Sequence, residues 1–322
     1  MLVLCVQGSP RKKGNTAIMI NEFMDEAKRL GVRTHRIEVV QEHVHPCVEC
    51  NICEKKGYCA IDDDMQEICR LFRKADIVVI GTPVFFYGPT AQLKAIIDRS
   101  QTLWARKYVH KLDDPRRQWR KGFMLTVGAT KGKDLFSGLT LTAKYFFDAI
   151  GAEYAGFAGY RQIEALGAIK DHTAAIEEIR DRARELIGPF CRRKKVLFVC
   201  KENACRSQMA AAFAIAIAGD RLDVQSAGSM PADNINPVMV ETMAEKGIDM
   251  AYIKPQGLDE VMDGWMPDVI VSMGCGEDCA YGSDVRTEVW DLPDPGDKSP
   301  DFMRSVRDEI ENRVKKLLSG LA

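Results

Sequence analysis

The sequence predicts an α/β fold with two doubly wound parallel-sheet domains in tandem. The chain has 322 residues, which is long for one hydrophobic core and suits two domains. Each half begins with a short apolar, β-branched segment, residues 2–7 and 196–199, followed by a polar loop and a helical pattern. Gly188-Pro189 ends a predicted helix, and a short linker at 190–195 follows it. We therefore expect domains at residues 1–190 and 194–322.

The remaining elements follow from alternating apolar strands and amphipathic helices, which predict parallel β with helices between the strands. Further strands are expected at residues 75–81, 122–127, 223–227, 268–273 and 288–291. Helices are expected at residues 17–30, 91–101, 171–187, 208–218, 236–246 and 302–318, and around residues 144–147.

Composition narrows the classes of function. A formal charge of -1 gives no electrostatic case for binding nucleic acid. The longest apolar stretches are too short to span a bilayer. The N-terminus lacks a basic region with a cleavage site, so we expect no export signal. The eleven cysteines form clusters in a large chain, which favours metal binding and redox chemistry in a reducing cytoplasm.

The loop after the strand at 196–199 has the pattern of an anion site. Cys200 and Arg206 stand with five residues between them, and Ser207 follows at the start of an Ala-rich helix. Backbone N–H groups and the helix N-terminus favour a tetrahedral oxyanion here and a thiolate at Cys200. Arg206 can bind two anion oxygens through its planar fork, and the Ser207 hydroxyl can donate to the sulfur. The pattern predicts a nucleophilic Cys200; the alternative is a buried, inert cysteine at a strand end.

This half resembles the low-molecular-weight tyrosine phosphatase fold and, within it, the thioredoxin-coupled arsenate reductases. The resemblance rests on the anion loop and on four further motifs: Ser226-Ala-Gly-Ser229, Asn236-Pro237, residues 272–279 and residues 290–295. It implies arsenate as the substrate, a thioredoxin-like reductant, and a catalytic place for Asn203 within the loop. It also implies that Asp294 is the general acid. Without the resemblance, the simpler interpretation of Asp294-Pro295 is a turn.

Two more cysteines, Cys275 and Cys279, distinguish a reductase from a phosphatase. Phosphoryl transfer needs one nucleophile and one acid, whereas reduction of arsenate needs two electrons from thiols. The resemblance implies that Cys275 attacks Cys200 to release arsenite and that Cys279 then takes over the disulfide. A zinc half-site or buried cysteines are the alternatives. Residues 296–298 lack the aromatics that follow the Asp-Pro in tyrosine phosphatases, although the two cysteines are closer together than in the best-known reductases.

In the N-terminal half, three loops follow predicted strands and should meet at one edge of the sheet. They are the Gly/Ser loop at residues 8–16, the aromatic loop at 82–90 and the Gly-rich loop at 128–132. A Gly/Ser loop before a helix suits a phosphate, and an aromatic loop can lie along a flat ring system. Together they predict a ligand site at the switch point of the sheet.

This pattern resembles the NADPH-dependent FMN reductases and iron–sulfur flavoproteins, which are flavodoxin-like. The resemblance implies FMN as cofactor, NAD(P)H as electron donor and a homo-oligomer formed through this domain. The residues it assigns to FMN are Ser9, Arg11, Gly14, Asn15, Thr16, Pro83, Val84, Phe85, Phe86, Tyr87, Gly88 and Gly128.

A compact cysteine group lies between the first two strand–helix units. Its members are Cys47, Cys50, Cys53 and Cys59. Four thiolates in this spacing suit a [4Fe–4S] cluster, as in iron–sulfur flavoproteins, and zinc is the main competitor. The acidic residues 62–64 that follow should form a solvated helix N-terminus. Residues 100–121 interleave basic and aromatic side chains, and we expect a lid or a subunit contact near the flavin there.

The sequence therefore predicts an arsenate reductase fused to an FMN-dependent oxidoreductase domain. Co-occurrence on one chain suggests the hypothesis that the flavin-binding half supplies electrons to the thiol relay. A phosphatase fused to a flavin reductase and an iron–sulfur electron carrier remain as alternatives.

Overall fold

The computed structural model describes residues 1–274 and 285–321. It consists of two compact units. The first unit contains Met1–Lys111 and Arg117–Cys191, and the second contains Leu112–Arg116 and Arg192–Ala322.

The first unit contains a five-stranded parallel sheet flanked by helices. Its elements are β1 (Leu2–Gln7), α1 (Asn15–Arg29), β2 (Arg33–Glu38), α2 (Ile52–Lys56), α3 (Met65–Lys74), β3 (Ile77–Pro83), α4 (Ala91–Arg99), α5 (Gln101–Tyr108), β4 (Lys121–Gly128), α6 (Ser137–Ala149), β5 (Glu153–Arg161) and α7 (Thr173–Ile187). The strand order is β2-β1-β3-β4-β5, and all pairs are parallel. This is the flavodoxin-like order, in which the chain reverses direction across the sheet between β1 and β3.

The N-terminal core forms because α1 is amphipathic. Met19, Ile20 and Phe23 are fully buried on its sheet-facing side, at the helical spacing of an apolar stripe. Phe23 packs on Phe123 of β4 with ring centroids 6.2 Å apart. The polar side of α1 pairs with α7, where Arg184 Nε donates to Glu26 at 2.8 Å.

The second unit contains a four-stranded parallel sheet among the residues that the structure describes. Its elements are β6 (Lys194–Cys200), α8 (Arg206–Ala218), β7 (Leu222–Gly228), α9 (Pro237–Ala244), α10 (Leu258–Met262), β8 (Val269–Met273), β9 (Arg286–Val289) and α11 (Pro300–Ser319). The order is β7-β6-β8-β9. Helix α8 is buried over almost its whole length, as expected of a helix that is apolar all round, and α11 packs against it.

A short segment from the middle of the chain is also part of the second unit. The backbone N–H of Asp113 donates to the Gly247 carbonyl at 2.7 Å, and the N–H of Asp249 donates to the Asp113 carbonyl at 2.9 Å. Arg116 Nη2 donates to the Val224 carbonyl at 3.3 Å. Residues 112–116 therefore belong structurally to the unit that is C-terminal in sequence.

The predicted fold class is confirmed, because both units are parallel α/β sheets with helices between the strands. Sequence reasoning missed β2, β5, α2, α5 and α10. The strand β2 is a partly exposed edge strand rich in charged residues, and β5 contains two glycines and alternates weakly in burial, so neither has the apolar pattern of a buried strand. Within the described ranges, no helix has both the length and the apolar composition needed to cross a membrane.

Candidate functional site

The loop from Cys200 to Arg206 is oriented by its carbonyl groups. Four of these carbonyls accept hydrogen bonds from backbone N–H groups of the segment after β7, at 2.8–3.2 Å. The donor and acceptor pairs are Ser229 to Cys200, Met230 to Lys201, Ala232 to Glu202 and Asn236 to Ala204. In a trans peptide, the carbonyl of one residue and the N–H of the next residue point in opposite directions. Since these carbonyls point outward, the N–H groups of the same peptides face the interior of the loop. This arrangement forms the predicted anion cradle at the start of α8.

The Cys200 sulfur lies inside this cradle and is 2 % exposed as a residue. The Asn203 backbone N–H donates to its Sγ at 3.2 Å, and the Ser207 Oγ lies 3.0 Å away. Asn203 Nδ2 donates to the Ser207 Oγ at 2.8 Å. Because that bond uses the Ser207 oxygen as an acceptor, the Ser207 hydroxyl hydrogen is available to the Cys200 sulfur. The Asn203 backbone N–H and the Ser207 hydroxyl thus both converge on the Cys200 sulfur.

Asn203 makes hydrogen bonds to several parts of the site. It has a left-handed backbone with φ of 52°, a conformation that asparagine tolerates better than most residues. Its side-chain oxygen accepts from Gln208 Nε2 and from the Gln256 backbone N–H, both at 2.9 Å. Asn203 is fully buried. The side-chain amide therefore fixes the loop conformation and the Ser207 hydroxyl together.

Gly228 makes the close packing of the loop possible. A Cβ at this position would lie 2.7 Å from the Lys201 carbonyl oxygen and 2.9 Å from the Asn203 nitrogen. Both contacts are with backbone atoms, which cannot move aside without opening the loop. The Ser226-Ala-Gly-Ser229 motif is therefore the support under the anion loop.

Arg206 connects the loop to the segment after β9. Its guanidinium is buried and donates from Nη1 to the Leu292 carbonyl at 3.0 Å and from Nη2 to Asp294 Oδ2 at 2.6 Å. Asp294 is 59 % exposed, and its other oxygen accepts from the Gly296 backbone N–H at 3.0 Å. Asp294 thus forms the turn that its Asp-Pro sequence suggests and also lies beside the anion loop.

Cys205 is close to this site but buried in apolar surroundings. Burial raises the pKa of its thiol to about 12, and the neighbouring Cys200 and Asp294 charges act in the same direction. A thiol with such a pKa stays protonated at neutral pH, so Cys205 fills space in the core beneath the loop.

The other two predicted relay residues, Cys275 and Cys279, lie outside the described residues. The last described residue before them is Gly274, which has φ of +72°. A Cβ on Gly274 would lie 2.9 Å from Arg206 Nη1. The chain therefore enters the segment that carries Cys275 directly beside the guanidinium of the anion loop.

In the first unit, the loops after β1, β3 and β4 meet at one edge of the sheet, as predicted, and line a pocket of about 180 Å³. The predicted residues among its lining are Ser9, Arg11, Gly14, Asn15, Thr16, Pro83, Val84, Phe85 and Gly128. Sequence reasoning missed Ile163, Glu164 and Leu166, which also line the pocket. They follow β5, a strand that the apolar pattern did not reveal.

Three predicted cofactor residues lie outside that lining, namely Phe86, Tyr87 and Gly88. Phe86 and Tyr87 have positive φ values of 48° and 61°, and the Phe86 side chain is fully exposed. Asn15 already has partners inside the unit, since its Nδ2 donates to the Ala165 carbonyl and its Oδ1 accepts from Ile169. Asn15 therefore holds the loop after β5 against the start of α1.

The four clustered cysteines line one pocket of about 460 Å³ next to α4 and α5. Burial raises the pKa of the Cys53 thiol, and the nearby Cys59 and Cys47 sulfurs raise it further. Cysteine thiolates are the ligands of [4Fe–4S] clusters, so the four side chains around this pocket have the composition of a cluster site. Among the described residues, no three His, Cys, Asp or Glu side chains form a group that could hold a single metal ion.

The acidic segment after these cysteines is not simply solvated, and that expectation was wrong for Asp63. The Asp63 carboxylate is 5 % exposed and pairs with Arg99, which is fully buried, at 2.7 Å. It also accepts the backbone N–H groups of His45 and Met65. Sequence alone does not show this pairing, because the two residues are 36 positions apart.

Comparisons with known proteins agree with this division of sites. Residues 195–322 match the family described as low molecular weight phosphotyrosine protein phosphatase, and residues 1–138 match the family described as NADPH-dependent FMN reductase. The glutaredoxin arsenate reductase of Synechocystis sp. is 33% identical over 133 residues, which are 40% of this chain and 99% of the relative.

Two further similarities concern each half separately. An iron–sulfur flavoprotein of Methanocaldococcus jannaschii is 39% identical over 103 residues, which are 32% of this chain and 53% of the relative. The chain thus spans about half the length of the iron–sulfur flavoproteins that it matches. A solved arsenate reductase in its phosphate-binding state is 33% identical and covers 40% of this chain and 99% of its own, with a TM-score of 0.36. Through residues 195–322 the chain therefore belongs to the low-molecular-weight phosphotyrosine protein phosphatase family and its arsenate reductases, and it carries a region of the NADPH-dependent FMN reductase type at its N-terminus.

Proposed function

We propose that this protein reduces arsenate to arsenite through a thiol–disulfide relay of Cys200, Cys275 and Cys279. The observation that carries the proposal is the Cys200 sulfur in an N–H-lined cradle, with donors from Asn203 and Ser207 directed at it. An arsenate bound in this cradle would have its charge matched by the loop N–H groups, by the N-terminus of α8 and by Arg206.

The first step forms a sulfur–arsenic bond. The Cys200 thiolate attacks the arsenic, and one oxygen of arsenate leaves as water after taking a proton from Asp294. The position of Asp294 beside the anion loop supports this role, and its 59 % exposed side chain can take the proton back from solvent. The oxidation state of arsenic does not change in this step.

The second and third steps move the electrons. The Cys275 thiolate attacks the Cys200 sulfur, the sulfur–arsenic bond breaks, and arsenite leaves with the bonding electron pair. Cys279 then attacks Cys275, which releases the Cys200 thiolate and leaves a Cys275–Cys279 disulfide. Two thiols are oxidised for each arsenate reduced. The position of Gly274 supports this order, because this last described residue before Cys275 lies beside Arg206.

For the N-terminal region we propose FMN, with NAD(P)H as the electron donor. The pocket after β1, β3 and β4 would hold the cofactor, with Ser9, Thr16 and the start of α1 at its phosphate and residues 83–85 along its ring system. FMN would accept a hydride from NAD(P)H and release electrons to an acceptor. The four cysteines would hold a [4Fe–4S] cluster, which stores single electrons.

The proposed partners follow from the same chemistry. A thioredoxin-like reductant would reduce the Cys275–Cys279 disulfide, and free thiols of this kind persist in the reducing cytoplasm. A similar structure, the thioredoxin-dependent arsenate reductase of Corynebacterium glutamicum, is named for such a partner. The adjacent exposed aromatic side chains of Phe85, Phe86 and Tyr87 support association of the first unit with a second copy.

The proposal is tested by comparing arsenate reduction with phosphatase turnover. Cys200→Ser should abolish arsenite formation and leave bound flavin unchanged, because the pocket for FMN lies in the other unit. Cys275→Ser and Cys279→Ser should each abolish catalytic arsenite formation. Arsenite formation by Cys200→Ser would contradict the proposal.

The second candidate is a phosphatase. The Cys200, Arg206 and Asp294 constellation is sufficient for phosphoryl transfer, which needs no further thiol. Under this alternative, p-nitrophenyl phosphate turnover would continue in Cys275→Ser and Cys279→Ser, and arsenite would not form with any variant or with wild type.

A further inference from the structure

The segment that carries the four clustered cysteines is held at both of its ends by one buried ion pair. Arg99 Nη1 donates to the His45 carbonyl at 2.8 Å, just before Cys47, and Arg99 Nη2 donates to the Ile61 carbonyl at 3.2 Å, just after Cys59. Asp63 accepts two hydrogen bonds from the same guanidinium and one from the His45 backbone N–H. The two ends of the cysteine segment are therefore joined through Arg99.

Two side chains that follow Arg99 in sequence, Arg106 and His110, contact the interior of the cysteine segment. Arg106 Nη1 donates to the Gly57 carbonyl at 3.0 Å, and its guanidinium lies 4.8 Å from the centre of the Tyr58 ring. His110 Nε2 lies 3.2 Å from the Cys53 carbonyl oxygen. Arg99 is the last residue of α4, Arg106 lies in α5 and His110 lies just after it. The segment from α4 past α5 thus supports the cysteine segment at three positions.

Arg99 also has a donor that its partners leave unused. Among the residues that the structure describes, its buried Nε has no hydrogen-bond partner, and Arg99 lines the pocket shared by the four cysteines. Buried N–H groups in folded proteins nearly always have a partner. This donor is therefore available to a group bound in the cysteine pocket.

We propose that Arg99 is the positioning residue of the cysteine site, fixing both ends of the cysteine segment and donating its Nε–H to a sulfur of the centre bound there. This inference rests on the proposed cluster. A buried positive charge and an N–H donor beside the sulfurs stabilise the more negative, reduced state of an iron–sulfur centre and so raise its reduction potential. Asp63 holds the guanidinium in place and partly balances its charge.

The test measures iron, acid-labile sulfide and midpoint potential in the anaerobically prepared full chain. Asp63→Asn with Arg99→Gln removes both charges and the Nε donor while keeping an amide pair in the same place. Arg99→Lys keeps the charge and removes the fixed fork. Lys107→Gln is the matched control, because Lys107 lies on α5 but pairs with Asp148 at 2.6 Å, away from the cysteine pocket.

We expect Lys107→Gln to match wild type in all three measurements. The double variant should bind iron with a lower midpoint potential, and Arg99→Lys should show a lower iron content or a lower potential, because its amine cannot bond to both segment ends and to a sulfur. If the double variant fails to fold by circular dichroism, Arg99→Lys decides. If the folded variants have the iron content and midpoint potential of wild type, the proposed role of Arg99 is wrong and the proposed cluster stands. If the wild-type chain itself binds no iron, both the cluster and this inference are wrong.

Discussion

At the scale of single residues, the reactivity of Cys200 depends on side chains that never need to touch the substrate. Asn203 donates to the Ser207 oxygen and, through its backbone, to the Cys200 sulfur. The hydroxyl hydrogen of Ser207 is thereby directed at the sulfur, which lies just before the N-terminus of α8.

Ser207→Ala should lower arsenate reduction without unfolding the protein. Loss of one hydrogen bond to a charged group costs about 1.5–3 kcal/mol, so kcat/KM should fall roughly 10- to 150-fold. Ser229→Ala is the matched control, since the Ser229 hydroxyl is buried near the loop and makes no hydrogen bond among the described residues. Equal steady-state kinetics for Ser207→Ala and Ser229→Ala would show that the Ser207 hydroxyl does not act on the sulfur.

Gly274→Ala should impair the anion site through Arg206. The new Cβ would lie 2.9 Å from Arg206 Nη1, so the guanidinium must shift, and arsenate affinity should fall. The positive φ adds a strain of about 1 kcal/mol, which Gly264→Ala shares because its φ is +65° with no atom within 4 Å. Both variants should lose similar thermal stability, and KM for arsenate should rise only in Gly274→Ala. A raised KM in both would assign the effect to strain alone.

At the scale of elements, the sequence correctly predicted the buried strands that lead into the site loops. Residues 2–7 and 196–199 are mostly apolar because both faces of a parallel strand are covered. The loop after the first of these strands lines the pocket of the first unit, and the loop after the second follows Cys200. The edge strand β2 and the glycine-containing β5 lack that pattern, and with β5 the pocket residues 163–166 were missed. The Asp63–Arg99 pair could not be predicted, because it depends on tertiary packing between α4 and the start of α3.

The pairing of α1 with α7 makes a testable contribution to stability. Hydrogen bonds from Arg184 and Arg29 hold the pKa of the Glu26 carboxyl below its usual value of 4.5. A lowered folded-state pKa means that the contribution is present above pH 4.5 and is lost as the pH falls below it. Glu26→Gln should therefore have a lower Tm than wild type at pH 7, and the difference should shrink below pH 4.5.

The matched control for that measurement is Asp25→Asn, which removes only an exposed pair with Lys28. Exposed pairs of this kind contribute little, so its Tm should stay close to wild type at both pH values. A Tm difference for Glu26→Gln that is independent of pH would mean that Glu26 acts through packing.

At the scale of the whole molecule, two sites with complementary redox chemistry occur on one chain. The proposed thiol relay ends in a disulfide that needs two electrons, and a flavin delivers electrons in pairs or singly. We therefore expect the FMN-loaded full chain to form arsenite over many turnovers with NADPH when thioredoxin is absent, and the flavin-free full chain to stop after about one arsenite per chain. The measurement is arsenite formed per NADPH oxidised.

The control for this coupling is the FMN-loaded Cys200→Ser variant, which should oxidise NADPH with an artificial acceptor at the wild-type rate and yield no arsenite. If the flavin-free and FMN-loaded chains depended equally on thioredoxin, the two domains would act separately.

The central claim is that Cys200, Cys275 and Cys279 together reduce one arsenate and that two of them, Cys275 and Cys279, end as a disulfide. The direct measurement is a single turnover of the fully reduced, flavin-free full chain with arsenate and no external reductant, followed by alkylation, peptide mapping and arsenite quantification. We predict about one arsenite per chain, a Cys275–Cys279 disulfide and an alkylatable Cys200. No arsenite and three alkylatable thiols would contradict the relay.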